Sequence, residues 1–374
     1  MKKLIDICDI QYGYAFDSKC FTDDSCYPPL VRIRDVKRGY SETYYSGDYP
    51  KEYVLASGDL LVGMDGEFNI ARWKCDGALL NQRVCKLIAK KGTNEEYLRF
   101  AMTKALKEIE RRTAFVTVKH LSAKELNKLQ LSVPDLSKQN RVAEILSRLE
   151  KVIDFRRQEL QKLDNLIKAR FVEMFENKTE YDQFRLEEIA DIVSGITKGR
   201  KTKCGELREV PYMAVSNVKD GYIDWTTVKT ILATEDEIIQ YKLLPDDVLM
   251  TEGGDPDKLG RGAIISLPPK DCIHQNHIFR VRLDETRILP RYFSAYLQSP
   301  QAKTYFLRAA KQTTGIASIN MRQLRGLPTI VPSIEQQLKY VSFSEQVDKS
   351  KVEVQKALDE TQKLFDSLMQ QYFG

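Results

Sequence analysis

The chain repeats itself, and a duplicated half-chain admits few folds, because whatever the first half forms the second must form again. Val31-Arg32-Ile33-Arg34-Asp35-Val36-Lys37-Arg38-Gly39-Tyr40 aligns with Met213-Ala214-Val215-Ser216-Asn217-Val218-Lys219-Asp220-Gly221-Tyr222, with four of ten positions identical. Gly58-Asp59-Leu60-Leu61-Val62 aligns with Asp246-Asp247-Val248-Leu249-Met250. Asn81-Gln82-Arg83-Val84 aligns with Gln275-Asn276-His277-Ile278, and Tyr97-Leu98 with Tyr292-Phe293. Leu126, Leu129, Val133, Pro134 and Gln139 align with Leu324, Leu327, Val331, Pro332 and Gln337. The order is kept throughout, and the offset climbs from 182 to 198 as loop insertions would make it.

Each repeat ends on a proline, a short polar step with a glutamine, and a long stretch without Pro or Gly. In the first, Val142, Leu149, Arg156, Leu163 and Arg170 recur every seven residues, with Leu146, Ile153, Leu160, Ile167 and Met174 four later. In the second, Val347, Val354, Thr361 and Leu368 recur every seven, with Leu358, Phe365 and Tyr372 four later. Each is one apolar stripe at helical period. A helix of ~38 residues reaches about 57 Å and has no core of its own. The expectation is that the two stripes bury each other in an antiparallel coiled coil. The alternative is two helices each folded onto its own globular part.

The chain is therefore expected to be α+β, a mixed α/β architecture of two similar globular domains in tandem. The expected bounds are 1–135 for the first domain, 136–177 for a central helix, 178–333 for the second domain and 334–374 for a C-terminal helix. Strand-like runs fall at 60–62, 84–88, Val248–Thr251 and Ile278–Leu283. Helix-like runs fall at 95–111 and 290–310, the latter broken by Pro300.

Composition narrows the class. At 374 residues with 42% hydrophobic and 9% aromatic content, the chain has ample material for cores. No run of about 18 apolar residues marks a membrane span, and Asp6 interrupts the N-terminus too early for a signal peptide. The seven cysteines are odd in number and form no C-x-x-C pair, against a disulfide framework or a zinc site; a reducing cytoplasm is expected. The net charge of +5 is concentrated toward the front of the chain, and permits nucleic-acid binding without demanding it.

No phosphate-binding loop, dinucleotide fingerprint or G-x-S-x-G elbow is present, nor the Asn-Pro-Pro-aromatic run of amino-methyltransferases. No catalytic residue and no metal ligand is assigned; the pair His274/His277 lacks companion cysteines.

Candidate DNA contacts are more plentiful. Tyr14 and Lys19 lie in a Gly-containing segment of the first half. Its counterpart holds Thr197, Lys198, Arg200, Lys201 and Lys203, a cationic run suited to phosphates or a solvated basic turn. Arg32, Arg34, Lys37 and Arg38 are expected on a basic strand-and-turn, where an Arg fork can take guanine O6 and N7. Ser216, Asn217 and Lys219 stand opposite them in the second half. Asn81, Gln82 and Arg83 correspond to Gln275, Asn276 and His277. Their amides suit adenine, or else satisfy buried backbone groups at a strand start. Polar loops add Asn69, Arg72 and Lys119 in the first half. In the second they add Lys258, Arg261, Thr314, Ser318, Asn320 and Arg322.

Domain, long helix, domain, long helix, with Leu131-Ser132-Val133-Pro134…Gln139 and Ile330-Val331-Pro332…Gln337 leading into the helices, resembles the specificity subunit of type I restriction–modification enzymes. Ser344-Glu345-Gln346-Val347-Asp348-Lys349-Ser350-Lys351 and the ending Ser367-Leu368-Met369-Gln370-Gln371-Tyr372-Phe373-Gly374 carry the same resemblance. It spans the whole chain. It implies two target recognition domains, each reading one part of a split double-stranded DNA sequence. Spacer helices would set the gap and dock two methyltransferase subunits, with Leu149, Ile153, Leu160, Leu163, Ile167, Val354, Leu358, Phe365 and Leu368 on the helices. S-adenosylmethionine, ATP and Mg would be held by partner methyltransferase and restriction subunits, and this chain would do no chemistry. Rival readings are an orphan adaptor on the same scaffold, or a stand-alone DNA-modifying enzyme with diverged motifs.

Overall fold

The computed structural model describes residues 1–112, 120–176, 181–200, 206–254, 259–313 and 316–374. Two compact units emerge. The first joins Met1–Gln158 to Gln355–Gly374, and the second is Glu159–Val354. Each takes one domain together with parts of both long helices.

In the first unit a four-stranded antiparallel sheet runs in the order Cys8–Tyr12, Val84–Ala89, Leu60–Gly63, Asn69–Arg72. The run at 60–63 is apolar at every position because both faces of its strand are covered. Leu60 and Val62 enter one core with Leu98, Phe100 and Met102 of the helix Glu95–Arg112. Leu61 points the other way, into a core with Val31, Val36, Trp73 and Leu80. Alternate side chains of a strand face opposite sides, so two cores require a continuous apolar run. A second sheet of Leu30–Val31, Ala78–Leu80 and Val54–Leu55 closes the other side, with its first pair parallel.

The second unit repeats this plan. Its sheet order is Ala190–Ser194, Ile278–Leu283, Val248–Thr251, Gly262–Ile264. Val248 and Met250 enter one core and Leu249 the other. Arg208–Met213 pairs in parallel with Ile273–His274, as in the first unit. The helical run breaks at Pro300 into Pro290–Leu297 and Pro300–Ala309, with the Ser299 side chain capping the second piece.

Two expectations are corrected. The basic segment after Val31 is not strand and turn: Ile33–Val36 is a single helical turn, held because the Asp35 carboxylate accepts from the Arg32 backbone N–H at 2.9 Å. The polar run 313–320 is not an open loop, because Ile316–Ser318 pairs with Lys311–Thr313 and with Gly253–Gly254 in a three-stranded antiparallel sheet.

The long helices are Leu136–Phe171, continued by a wider π-turn over Val172–Glu176, and Ile334–Phe373. In the first unit Val142, Ala143 and Leu146 share a core with Met369, with Phe365, Leu368 and Tyr372 packed on it. In the second unit Phe171 meets Tyr340 ring to ring at 5.4 Å, Arg170 lies over Phe343, and Lys351 pairs with Asp164 at 2.6 Å. Numbers rise on one helix as they fall on the other: in the first unit Arg157 donates to Gln362 while Val142 shares a core with Met369, and in the second Asp164 meets Lys351 while Phe171 meets Tyr340, so the pairing is antiparallel.

Gln139 and Gln337 explain the repeated glutamine. Both are buried. Gln139 donates to Pro134 O and Gly92 O and accepts from Asn94 N. Gln337 donates to Pro332 O and Arg287 O and accepts from Leu289 N. Each ties the start of a long helix to the loop that opens its domain's own helix.

Candidate nucleic-acid interface

The two units build one corner in the same way. After the strands Cys8–Tyr12 and Ala190–Ser194 the chain presses against the backbone at the ends of Ala78–Leu80 and Ile273–His274. A Cβ on Gly13 would stand 2.0 Å from Asn81 O, and on Gly195 2.0 Å from His274 O. Only glycine permits that approach. Backbone bonds then fix Asn81-Gln82-Arg83 and Gln275-Asn276-His277 in equivalent turns: Gln82 N donates to Tyr14 O at 2.7 Å, and Asn276 N to Ile196 O at 3.0 Å. Met64 N donates to Arg83 O, and Glu252 N to His277 O. Leu121 N donates to Met64 O, and Ile319 N to Glu252 O. Three segments far apart in sequence therefore meet at each corner.

In the first unit Arg83 Nε stands 3.5 Å from the Asp65 carboxylate, and Arg83 Nη1 3.2 Å from His120 Nδ1. His120 Nδ1 also bonds Asp65. Arg83 holds a left-handed backbone with φ 75°, uncommon for a residue with a side chain. Gln82 is exposed beside it, whereas Asn81 is buried with Oδ1 unpartnered. Asn69 donates to Glu67 O, and Lys37 pairs with the Glu67 side chain. Arg34 and Arg38 make loose contacts with Asp35 at 3.7 Å and Glu42 at 3.9 Å, and Arg32 is exposed. Tyr14 stacks edge-on to Phe16, and Lys19 is exposed on the turn Ser18–Cys20. Arg72 is drawn elsewhere: it pairs with Glu95 at 2.9 Å and with Glu96, and donates to Gly58 O. Those carboxylates raise its pKa against the burial that lowers it.

In the second unit Val215, Glu252, Gly253, His277 and Ser318 line an open cleft of about 320 Å³. His277 Nδ1 bonds the Glu252 carboxylate at 2.5 Å, and Asn276 Nδ2 approaches His277 Nε2 at 3.5 Å. Ser216, Thr197 and Lys198 are exposed and Lys219 is half-buried. Several other sequence candidates turn inward. Asn217 is fully buried: it accepts from Ala214 N and donates to Asp224 O and Thr227 Oγ1, so its amide is not available to a base. Gln275 accepts from Val215 N at 3.3 Å, the backbone-satisfying role weighed against base contact. Arg200 is clamped by Glu237, with a 2.6 Å bond from Nε, and that carboxylate raises its pKa. Asn320 caps the helix Met321–Arg325 by accepting from Gln323 N at 2.9 Å, leaving Arg322 exposed on it. Arg261 is half-buried with Nε unpartnered. Lys119, Lys201, Lys203, Lys258 and Thr314 lie outside the described residues. His274, named with His277 as a possible metal pair, is fully buried with its ring nitrogens facing Tyr241 O and Val193 O.

The residues that sequence reasoning missed are the acids and one histidine: Asp65, Glu252 and His120. Asp65 and Glu252 stand in polar stretches of sequence among other acids, Glu67 and Asp255, so neither gives a signal until its partner is placed beside it.

The helix residues also divide. Leu149, Ile153, Leu160, Leu163, Ile167, Val354, Leu358, Phe365 and Leu368 are all buried or half-buried along the paired stripes. Apolar side chains on the outer faces are others, chiefly Phe155 at 66% and Val352 at 64% exposure. No described helix is long and apolar enough to cross a membrane.

The family model described as "Type I restriction modification DNA specificity domain" matches residues 1–165 and again residues 178–362. The specificity subunit of the type I restriction enzyme EcoBI from Escherichia coli is 28% identical over 98% of this chain and 84% of its own length. A type I restriction–modification S subunit from M. genitalium shares the fold with a TM-score of 0.57 at 15% identity, over 100% of this chain and 95% of that one. A chain from a structure concerned with complex assembly and conformational transition of the type I R-M system gives 0.59 at 17% identity, over 100% and 96%. With the duplicated corner, the duplicated helix and both halves matched in turn, this chain belongs to the type I restriction–modification DNA specificity family.

Proposed function

We propose that this chain is the sequence-reading subunit of a type I restriction–modification complex and itself performs no bond-making step. Each domain reads one part of a split duplex target through its corner and the neighbouring exposed side chains. Base edges in the major groove carry the distinguishing donors and acceptors, and cations on the flanks neutralise phosphates. One observation carries the reading: the same corner is built twice on one backbone plan but filled differently, with Asp65, Arg83 and His120 in one unit and Glu252, Asn276 and His277 in the other. Two alike scaffolds with unlike tips suit a target of two unlike parts.

The long helices act as the spacer, and their outer faces, with Phe155 and Val352, dock two methyltransferase subunits. Restriction subunits complete the assembly. S-adenosylmethionine, ATP and Mg serve those partners, which transfer the methyl group to adenine and cut DNA. This chain supplies binding, orientation and choice of site.

Lengthening the spacer tests the arrangement. Arg156 and Val354 occupy equivalent positions, 198 residues apart. Inserting one heptad after each keeps both stripes in phase. It adds about 10 Å to each helix. That length is roughly three base pairs of duplex. The expected result, read by mapping methylated sites, is a longer gap between unchanged half-sequences. An unchanged gap means that the helices are not the spacer.

A further inference from the structure

We propose that positions 83 and 277 are the paired base-reading positions of the two domains, each aimed by a carboxylate from the adjoining strand end. Arg83 reads a guanine in the half-target of the first domain. The inference deepens the specificity reading above and rests on it.

A surface that meets DNA phosphates gains nothing from a carboxylate unless that group acts on something other than phosphate. Asp65 and Glu252 nevertheless sit at the centre of the two corners, with side chains only 23% and 35% exposed. They are not the same position of the repeat. Met64 aligns with Glu252, because Met64 N donates to Arg83 O as Glu252 N donates to His277 O. Both acids still reach the same residue of the turn, so what the two corners share is a carboxylate holding position 83 or 277.

The geometry of the first corner leaves the guanidinium available. His120 Nδ1 carries at most one hydrogen, and Asp65 takes it. Nδ1 therefore offers Arg83 Nη1 no acceptor at 3.2 Å, and that nitrogen keeps its N–H groups for a ligand. Asp65 approaches Nε, the inner side of the fork, at 3.5 Å. With the Nε edge taken and the side chain 52% exposed, the terminal nitrogens keep N–H groups for a ligand. That fork matches guanine O6 and N7. The left-handed backbone of Arg83 fits the same role, since strained backbone is kept where a side chain must be aimed. In the second domain Glu252 fixes His277 through Nδ1, leaving Nε2 beside Asn276 Nδ2 at the cleft. An imidazole edge and an amide replace the guanidinium fork, so the two halves select different bases.

The test is selection from a pool of randomised duplex DNA by the full-length chain, assembled with the methyltransferase of its own host, followed by sequencing. The wild type is expected to select a two-part motif with guanine at one position of the first part. Arg83→Gly suits the left-handed backbone and so avoids a folding failure, while Arg83→Lys keeps the charge but not the fork. Both are expected to lose about tenfold to a hundredfold in preference for that guanine alone. Asp65→Asn is expected to lower the same preference by a smaller factor. His277→Gln is expected to alter one position of the second part only. Selection of the wild-type motif by both Arg83 variants overturns the inference. Uniform weakening across all sequences overturns it too, because position 83 then touches phosphate, while the two-part motif still supports the specificity reading. A wild type that selects no two-part motif removes both.

Discussion

His274 shows how burial decides the chemistry of a single side chain. Desolvation at this fully buried position lowers its pKa from 6.5 to about 4, against two backbone carbonyls that would favour the charged ring and beside Arg280, which opposes it. The neutral ring is therefore the folded form. In the unfolded chain the ring takes up its proton near pH 6.5, so between about pH 6.5 and 4 the unfolded state binds more protons, and stability drops as the pH is lowered through that window. The limiting slope from one such group is about 1.4 kcal/mol per pH unit. The chain has two tryptophans, Trp73 in the first unit and Trp225 in the second. In a Trp73→Phe background, Trp225 fluorescence reads unfolding of the second unit. The expected outcome is a decline in its stability over that window, which His274→Gln flattens; equal slopes for both proteins would refute it. At this scale little was legible beforehand. The sequence marks His274 and His277 as a pair, and nothing in it tells a buried ring from an exposed one held by Glu252.

At the scale of elements the reading was nearer the mark, for a physical reason. Helical and strand periods are written in residue order, so the strands Val248–Thr251 and Ile278–Leu283 coincide with their apolar runs. The heptad positions of both long helices all lie buried or half-buried. What escaped carries no apolar period to read: the turn Ile33–Val36, closed by a local Asp35 hydrogen bond to Arg32 N, and the pairing of Lys311–Thr313 with Ile316–Ser318 in a polar run, whose third strand Gly253–Gly254 is distant in sequence. The same division separates the two kinds of apolar residue on the helices. Leu358 is buried in the first unit. Leu358→Asp places an unpaired carboxylate in that seam and is expected to cost about 3 kcal/mol or more. Phe155→Asp, on the outer face, is expected to change stability by no more than about 0.5 kcal/mol. Unfolding followed at Trp73 in a Trp225→Phe background measures both. Equal losses would contradict the assignment of seam and outer face.

For the whole molecule the duplication was the most readable fact, because a repeat survives in the order of its matches even where few residues are identical. The buried glutamines Gln139 and Gln337, with equivalent partners in the two units, are its clearest structural counterpart. The proposed base-reading tips were less readable: Arg83 stood among the candidates, but its partners Asp65 and His120 come from two other segments. As proposed, this chain chooses a DNA sequence and leaves chemistry to its partners. Mapping methylated bases across the host genome, in strains with the gene intact and deleted, tests it most directly. A two-part methylated motif is expected to disappear on deletion and to return with the gene. Methylation identical in the two strains would contradict it.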